Sequence, residues 1–255
     1  MTAYQGGKKR IGNKIYEVIN LIEKSIYKNK KLSYFEPFIG MASIMKYFGK
    51  EKDRKLFACD YNKDLICMWK ALQKGWKPPK KCTKKEYEDL KNSSEHSADR
   101  AFIGIVASWA CIFFSAYRLH YNKDKDFMGE GCRGLEKIKD DIMNVNFYES
   151  ASYDTFDPED KLIYCDPPYL NNNLKTELFQ NFNHDDFWEK MRKWSENNLV
   201  IISESTAPKD FIKIWSTESY STNTSNTKHY EDCLFVHKSI YKNIDKKTIS
   251  KIKTI

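Results

Sequence analysis

Two hydrophobic periods alternate along this chain. Ile11, Ile15, Val18, Ile19, Ile22 and Ile26 recur at helical spacing, which predicts an opening helix. Leu32 to Phe35 is a strand-like run, Met41 to Phe48 a predicted helix, Lys55 to Cys59 a strand and Asn62 to Gln73 a helix. The order resumes with a strand at Lys161 to Cys165, and a helix at His184 to Asn197 that has Asp185 or Asp186 near its start. A strand at Leu199 to Ser203 follows, then a predicted helix at Pro208 to Trp215 with proline in its first turn, and a closing strand at Leu234 to His237. Strands alternating with helices imply an α/β domain whose mostly parallel sheet is covered on both faces.

Between about Gly75 and Asn146 the pattern changes. Lys77-Pro78-Pro79-Lys80 breaks it, a polar stretch runs to Arg100, and an apolar helix-like run spans Phe102 to Phe114. A segment rich in charge and glycine, Tyr121 to Gly134, leads into a helix-like stretch from Leu135 to Met143. The expectation is an α/β domain built from residues 1–74 and 147–255, interrupted by a helical insertion at 75–146.

Composition narrows the class. With 41% hydrophobic and 15% aromatic residues among 255, the chain can bury a core, which excludes wholesale disorder. The longest unbroken apolar stretch, around Ala110 to Phe114, is far short of the roughly 18–20 residues a bilayer requires, so no membrane association is expected. Met1 to Arg10 has no apolar signal core, which points to an intracellular rather than a secreted protein. Seven cysteines without C-x-x-C spacing signal neither a zinc site nor a disulfide framework, and no metal is expected. The net charge of +8 is clustered: Lys8-Lys9-Arg10, six lysines from Lys74 to Lys85 with no acid among them, and six more from Lys238 onward against Asp245. Together with many aromatics, these clusters favour a nucleic-acid partner.

The sharpest chemical signal is Asp166-Pro167-Pro168-Tyr169, directly after the strand Leu162 to Cys165. Ligands of open α/β sheets bind beyond the carboxyl ends of strands. The residue types suit attack by an exocyclic amino group, whose lone pair is delocalised into its ring. A carboxylate accepting one N–H and a backbone carbonyl accepting the other would localise that pair. Consecutive prolines aim such a carbonyl, as at Pro167, and the Tyr169 ring offers a stacking face for an extruded base. A second signal is Phe35-Glu36-Pro37-Phe38-Ile39-Gly40-Met41-Ala42-Ser43, again strand into helix. Gly40 allows close backbone approach, and Asp60 lies 20 residues later, the spacing of an acid that binds ribose hydroxyls. Tyr4-Gln5-Gly6-Gly7-Lys8, taken alone, reads only as a loop.

Taken in order, Y-x-G-G-K, F-E-P-F-x-G, A-C-D-Y-N-K-D-L, an insertion and D-P-P-Y resemble the Dam-type DNA adenine-N6 methyltransferases of the α group. Ile202-Ser203-Glu204-Ser205-Thr206-Ala207-Pro208 and Leu234-Phe235-Val236 resemble later segments of phage and viral relatives. The resemblance implies a seven-stranded Rossmann-like sheet with one antiparallel strand. It also implies S-adenosylmethionine (SAM) as methyl donor and direct transfer to adenine N6 of a base flipped from a short site in double-stranded DNA. Under it, Tyr4 and Lys8 match cofactor-contacting residues, Glu36, Phe38 and Gly40 lie in the cofactor motif, and Asp60 matches the ribose-binding acid. Asp166 orients the amine beside the cofactor. The family's F-x-G-x-G is Phe38-Ile39-Gly40-Met41-Ala42 here, so Ala42 adds a methyl group where glycine is usual. DNA contacts are assigned to the insertion, where Arg118, His120, Tyr121, Asn122 and Arg133 have suitable groups, and to Lys9 and Arg10. Cytosine N4 or an RNA base remain alternative targets, as does a catalytically inactive DNA-binding module. A role in restriction–modification, in viral genome marking or in regulation is equally open.

Overall fold

The computed structural model describes residues 7–28, 30–119, 125–149, 152–170 and 182–255, excepting 224–225 and the side chains of 219–230. Seven strands form a sheet in the order β3-β2-β1-β4-β5-β7-β6. They are β1 (Ser33–Glu36), β2 (Leu56–Ala58), β3 (Val145–Phe147), β4 (Lys161–Cys165), β5 (Leu199–Glu204), β6 (Phe211–Asn223) and β7 (Asn226–His237). β7 runs antiparallel to both β5 and β6, and β1·β4, β4·β5 and β2·β3 are parallel pairs. The chain is therefore an α/β protein with the seven-stranded, one-strand-reversed sheet expected of a Rossmann-like methyltransferase. Among the described residues, no helix is long and apolar enough to cross a membrane.

Two compact units divide the chain. One comprises Met1–Gly12 and Ile39–Ser152, the other Asn13–Phe38 and Tyr153–Ile255. In the first unit, α3 (Lys63–Gln73) buries Leu65, Met68, Trp69 and Leu72 at its apolar spacing. Asn62 caps it, accepting the Asp64 N–H at 3.0 Å. Gln73 closes the other end, its Nε2 donating to the carbonyls of Ile142 and Val145 at 2.8 Å each. α4 (Lys84–Asn92) starts with a capping box between Thr83 and Glu86. α5 (Ala98–Val106) and α6 (Phe127–Ile142) complete the unit's helices, with the short α2 (Met45–Phe48). Asp64 is 1% exposed and pairs with Arg100, accepts the Ser97 N–H at 3.0 Å and lies 3.2 Å from His96 Nδ1. It thus joins the start of α3 to the start of α5.

In the second unit, α1 (Gly12–Tyr27, from Asn13 on) is amphipathic, and its Ser25 hydroxyl donates to Asp245 at 2.6 Å, ahead of α9 (Lys246–Ile252). Between these lie α7 (His184–Asn197) and the single turn α8 (Lys238–Tyr241). α7 packs Phe187 and Trp194 into an aromatic cluster with Phe35, Phe38, Tyr153 and Phe182. A bidentate Arg192–Asp210 pair, 2.6 and 3.0 Å, ties α7 to the start of β6.

Three sequence expectations are corrected. Pro208 to Trp215 is not a helix: Phe211 opens the long strand β6, and a β-bulge between Lys213 and Trp215 places Ile214 and Trp215 both inward, imitating a helical period. Only Met45–Phe48 of the expected Met41 to Phe48 helix forms, because Gly40 and Ala42 adopt φ of +47° and +54°. The run Phe102 to Phe114 leaves the helix at Val106, and Ala110, Cys111 and Phe114 beyond it have φ of 54°, 56° and 48°.

Removing the Asp64 carboxylate would leave Arg100, whose side chain is only 15% exposed, without its counter-charge. Asp64→Ala is expected to lower the unfolding free energy by about 3 kcal/mol, read from the urea midpoint. A loss below about 1 kcal/mol would show that water replaces the carboxylate.

Candidate active site

The first cluster lies in the Met1–Gly12/Ile39–Ser152 unit, where the turn after Phe38 meets the end of β2. The Ile39 N–H donates to the Cys59 carbonyl at 3.2 Å, and the Gly40 N–H donates to Asp60 Oδ2 at 2.9 Å. Asp60 Oδ1 accepts the Asn62 N–H, also at 2.9 Å. From the other side, the buried Trp69 indole donates to the Gly40 carbonyl at 3.0 Å. The 20-residue spacing of Gly40 and Asp60 is thus a direct contact. Burial lifts the Asp60 carboxyl to about 6 against the opposing pull of the two amides. A carboxylate oxygen has two lone pairs and can accept from more than one donor. Gly40 has no side chain to obstruct approach, so this corner fits the ribose and backbone contacts of a nucleoside cofactor. Tyr61, next in the chain and 64% exposed, offers an aromatic face that the sequence reading passed over.

Cys59 is buried, and burial together with the Asp60 charge pushes its thiol well above the ordinary range. Lys8 is 5% exposed, and its carbonyl accepts the Ile11 N–H at 3.2 Å. Tyr4 lies outside the described residues.

The second cluster belongs to the Asn13–Phe38/Tyr153–Ile255 unit. β4 delivers Asp166-Pro167-Pro168-Tyr169 at its carboxyl end, with Asp166 half-buried. The Tyr169 hydroxyl is 2.7 Å from Ser203 Oγ and donates to Asp232 Oδ1 at 3.1 Å. The Leu170 N–H donates to Glu204 Oε2 at 3.2 Å, while Glu204 Oε1 accepts the Ser205 N–H and hydroxyl at 2.6 and 2.9 Å. Burial, then the Asp166 and Asp232 charges, push the Tyr169 phenol far up; burial chiefly, with Asp166 adding, raises Glu204 against the hydrogen bonds it accepts. Ser203, Glu204 and Asp232 are 1%, 1% and 5% exposed. Glu36, 2% exposed, accepts the Tyr34 hydroxyl at 3.0 Å, and Phe38 packs 5.3 Å from Tyr153 within the aromatic cluster.

Of the residues assigned to DNA, Lys9 and Arg10 are exposed, as is Arg133, which pairs with Asp126 at 3.3 Å. Arg118 is half-buried: its guanidinium lies 3.9 Å from the Phe127 ring centroid and its Nε donates to the Val106 carbonyl at 2.9 Å. His120, Tyr121 and Asn122 lie outside the described residues. Among the described residues, no group of three or more His, Cys, Asp or Glu is arranged to hold a metal ion.

Residues 4–104 match the family model of the D12 class N6 adenine-specific DNA methyltransferases. Over those residues the chain is similar to the adenine-specific DNA methyltransferases of this class. The chain is similar at 6% and 8% identity to two solved structures of the rRNA methyltransferase AviRa from Streptomyces viridochromogenes. The matches cover 92% and 88% of this chain and 86% and 84% of theirs, with TM-scores of 0.40 and 0.36. Among curated proteins there is no match.

Ala42 is fully buried in a left-handed conformation, its N–H donating to the Ile39 carbonyl at 2.8 Å. That conformation costs alanine about 1–2 kcal/mol, whereas the extra unfolded-state freedom of glycine costs about 0.5–1 kcal/mol. Ala42→Gly is therefore expected to leave the urea unfolding free energy unchanged or to raise it by up to about 1 kcal/mol. A loss larger than about 1 kcal/mol would mean that the buried methyl outweighs the strain.

Proposed function

We propose that this chain transfers a methyl group from SAM to adenine N6 in a short double-stranded DNA site, after the base is flipped from the helix. The observation that carries the reading is the Asp166-Pro167-Pro168-Tyr169 turn at the carboxyl end of β4, pinned by Ser203, Glu204 and Asp232. SAM supplies an electrophilic methyl carbon on a sulfonium.

The chain's own residues prepare the nucleophile. Asp166 accepts one N–H of the amine and the Pro167 carbonyl accepts the other, which draws N6 towards tetrahedral geometry and localises its lone pair. Proline at 167 and 168 fixes φ, so the carbonyl is aimed before the base arrives. The amine becomes acidic only as it alkylates, so Asp166 serves by orientation and by stabilising the developing positive charge. The Tyr169 ring gives the extruded purine a face to stack on. Asp60 accepts ribose hydroxyls and Gly40 lets the cofactor approach the backbone; the family resemblance assigns Lys8, Glu36, Phe38 and Tyr4 to the cofactor as well. Lys9, Arg10 and Arg133 meet phosphates, and Arg118 and Asn122 remain in the proposed DNA set. Residues 1–74 and 147–255 form the catalytic domain, and 75–146 the recognition insertion. An intracellular location follows from this substrate.

The decisive experiment incubates the protein with labelled SAM and duplex DNA, digests to nucleosides and identifies the product. Label in N6-methyladenine is expected, while label in N4-methylcytosine, or none, overturns the reading. Asp166→Ala is expected to lower the rate at least about a hundredfold while DNA binding survives; near-normal turnover would remove Asp166 from its role.

Cofactor binding through Asp60 carries a pH dependence. Ribose hydroxyls donate to an ionised carboxylate, and Asp60 takes a proton as pH falls through about 6. SAM affinity measured by calorimetry should weaken below that pH, and Asp60→Asn should be weak and flat across the same range. A wild-type affinity constant from pH 7 to 5 would contradict this.

A further inference from the structure

We propose that Asp232, with Ser203 and Glu204, is a positioning residue that sets the attitude of the Tyr169 ring against the flipped base; this rests on the function proposed above. A carboxylate can only accept, so the phenol proton of Tyr169 goes to Asp232, and Ser203 then donates to the phenol oxygen. The three groups form a hydrogen-bond relay with one direction. The ring is joined to the backbone at Cβ and tied to the fold at its hydroxyl, which removes the rotations about χ1 and χ2 that would tilt its face. Pro168 restricts the backbone just before the ring, and Glu204 takes the amide just after it, at Leu170. The turn is therefore held on three sides.

The anchors come from one antiparallel pair. Ser203 is in register with Leu234 and Glu204 with Cys233, so Asp232 stands one residue beyond the last rung. Because β7 runs against β5, its earlier residues reach the carboxyl edge where β4 delivers the turn; a parallel strand would bring its last residues there instead. The reversed strand thus carries an acid to the one place from which it can hold the Tyr169 hydroxyl. With its hydroxyl committed to the fold and its phenol pushed far up by burial, Tyr169 serves through its face and not as an acid.

The test is a double-mutant cycle on methyl transfer to duplex DNA with the full-length protein. Tyr169→Phe and Asp232→Ala are each expected to lower kcat about tenfold with KM for SAM unchanged, since a small misplacement of a reacting group costs about that much or more. The double variant should be no slower than Tyr169→Phe alone, because both changes remove one tether. Asp232→Asn keeps an acceptor at the same atom and should retain activity within about threefold. If Asp232→Ala does not fold, Ser203→Ala takes its place in the cycle. Additive losses, or a Tyr169→Phe variant with wild-type kcat, overturn the clamp while leaving the function standing. A wild-type protein that transfers no label to DNA overturns the function itself, and with it the clamp.

Discussion

A backbone amide that leaves the end of a strand has lost its ladder partner and, once buried, must find another acceptor. In each unit of this protein a carboxylate, half-buried at Asp60 and buried at Glu204, meets that need. Asp60 takes the amides of Gly40, after β1, and Asn62, after β2; Glu204 takes those of Leu170, after β4, and Ser205, after β5. The turns with chemical potential are shaped by these acids before any ligand arrives. Charge is kept in the protein where it can satisfy backbone donors, at the expense of raised carboxyl pKa values.

Much of the architecture was legible in the sequence because apolar spacing and element boundaries coincide. Lys161 to Cys165 and His184 to Asn197 appear with the bounds that their patterns and flanking caps imply. The failures have local causes. At Pro208 to Trp215 a bulge put two successive residues inward and disguised a strand, and at Met41 to Ile44 backbone strain displaced a helix that composition alone would favour.

The site was legible only in part, for a related reason. Asp60 and Asp166 announce themselves by neighbours in sequence, whereas Ser203 and Asp232 become relevant only through the pairing of β5 with β7, 34 and 63 residues away from Tyr169. Trp69, a core residue by its helical spacing, turns out to fix the carbonyl of Gly40. Arg118, a candidate base reader by residue type, has a placement its type does not announce: its guanidinium lies against Phe127 and its Nε donates to a carbonyl. Residue type shows what a side chain is able to do, and packing decides whether it is available.

The burial of Cys59 beside Asp60 bears on durability. A thiolate is the strongest nucleophile a protein commonly carries, and under the function proposed above a sulfonium reagent held within reach of one would alkylate it. Keeping this sulfur protonated through desolvation and an adjacent negative charge makes it a spectator, so the chain can tolerate cysteine where a more polar setting would invite suicide inactivation.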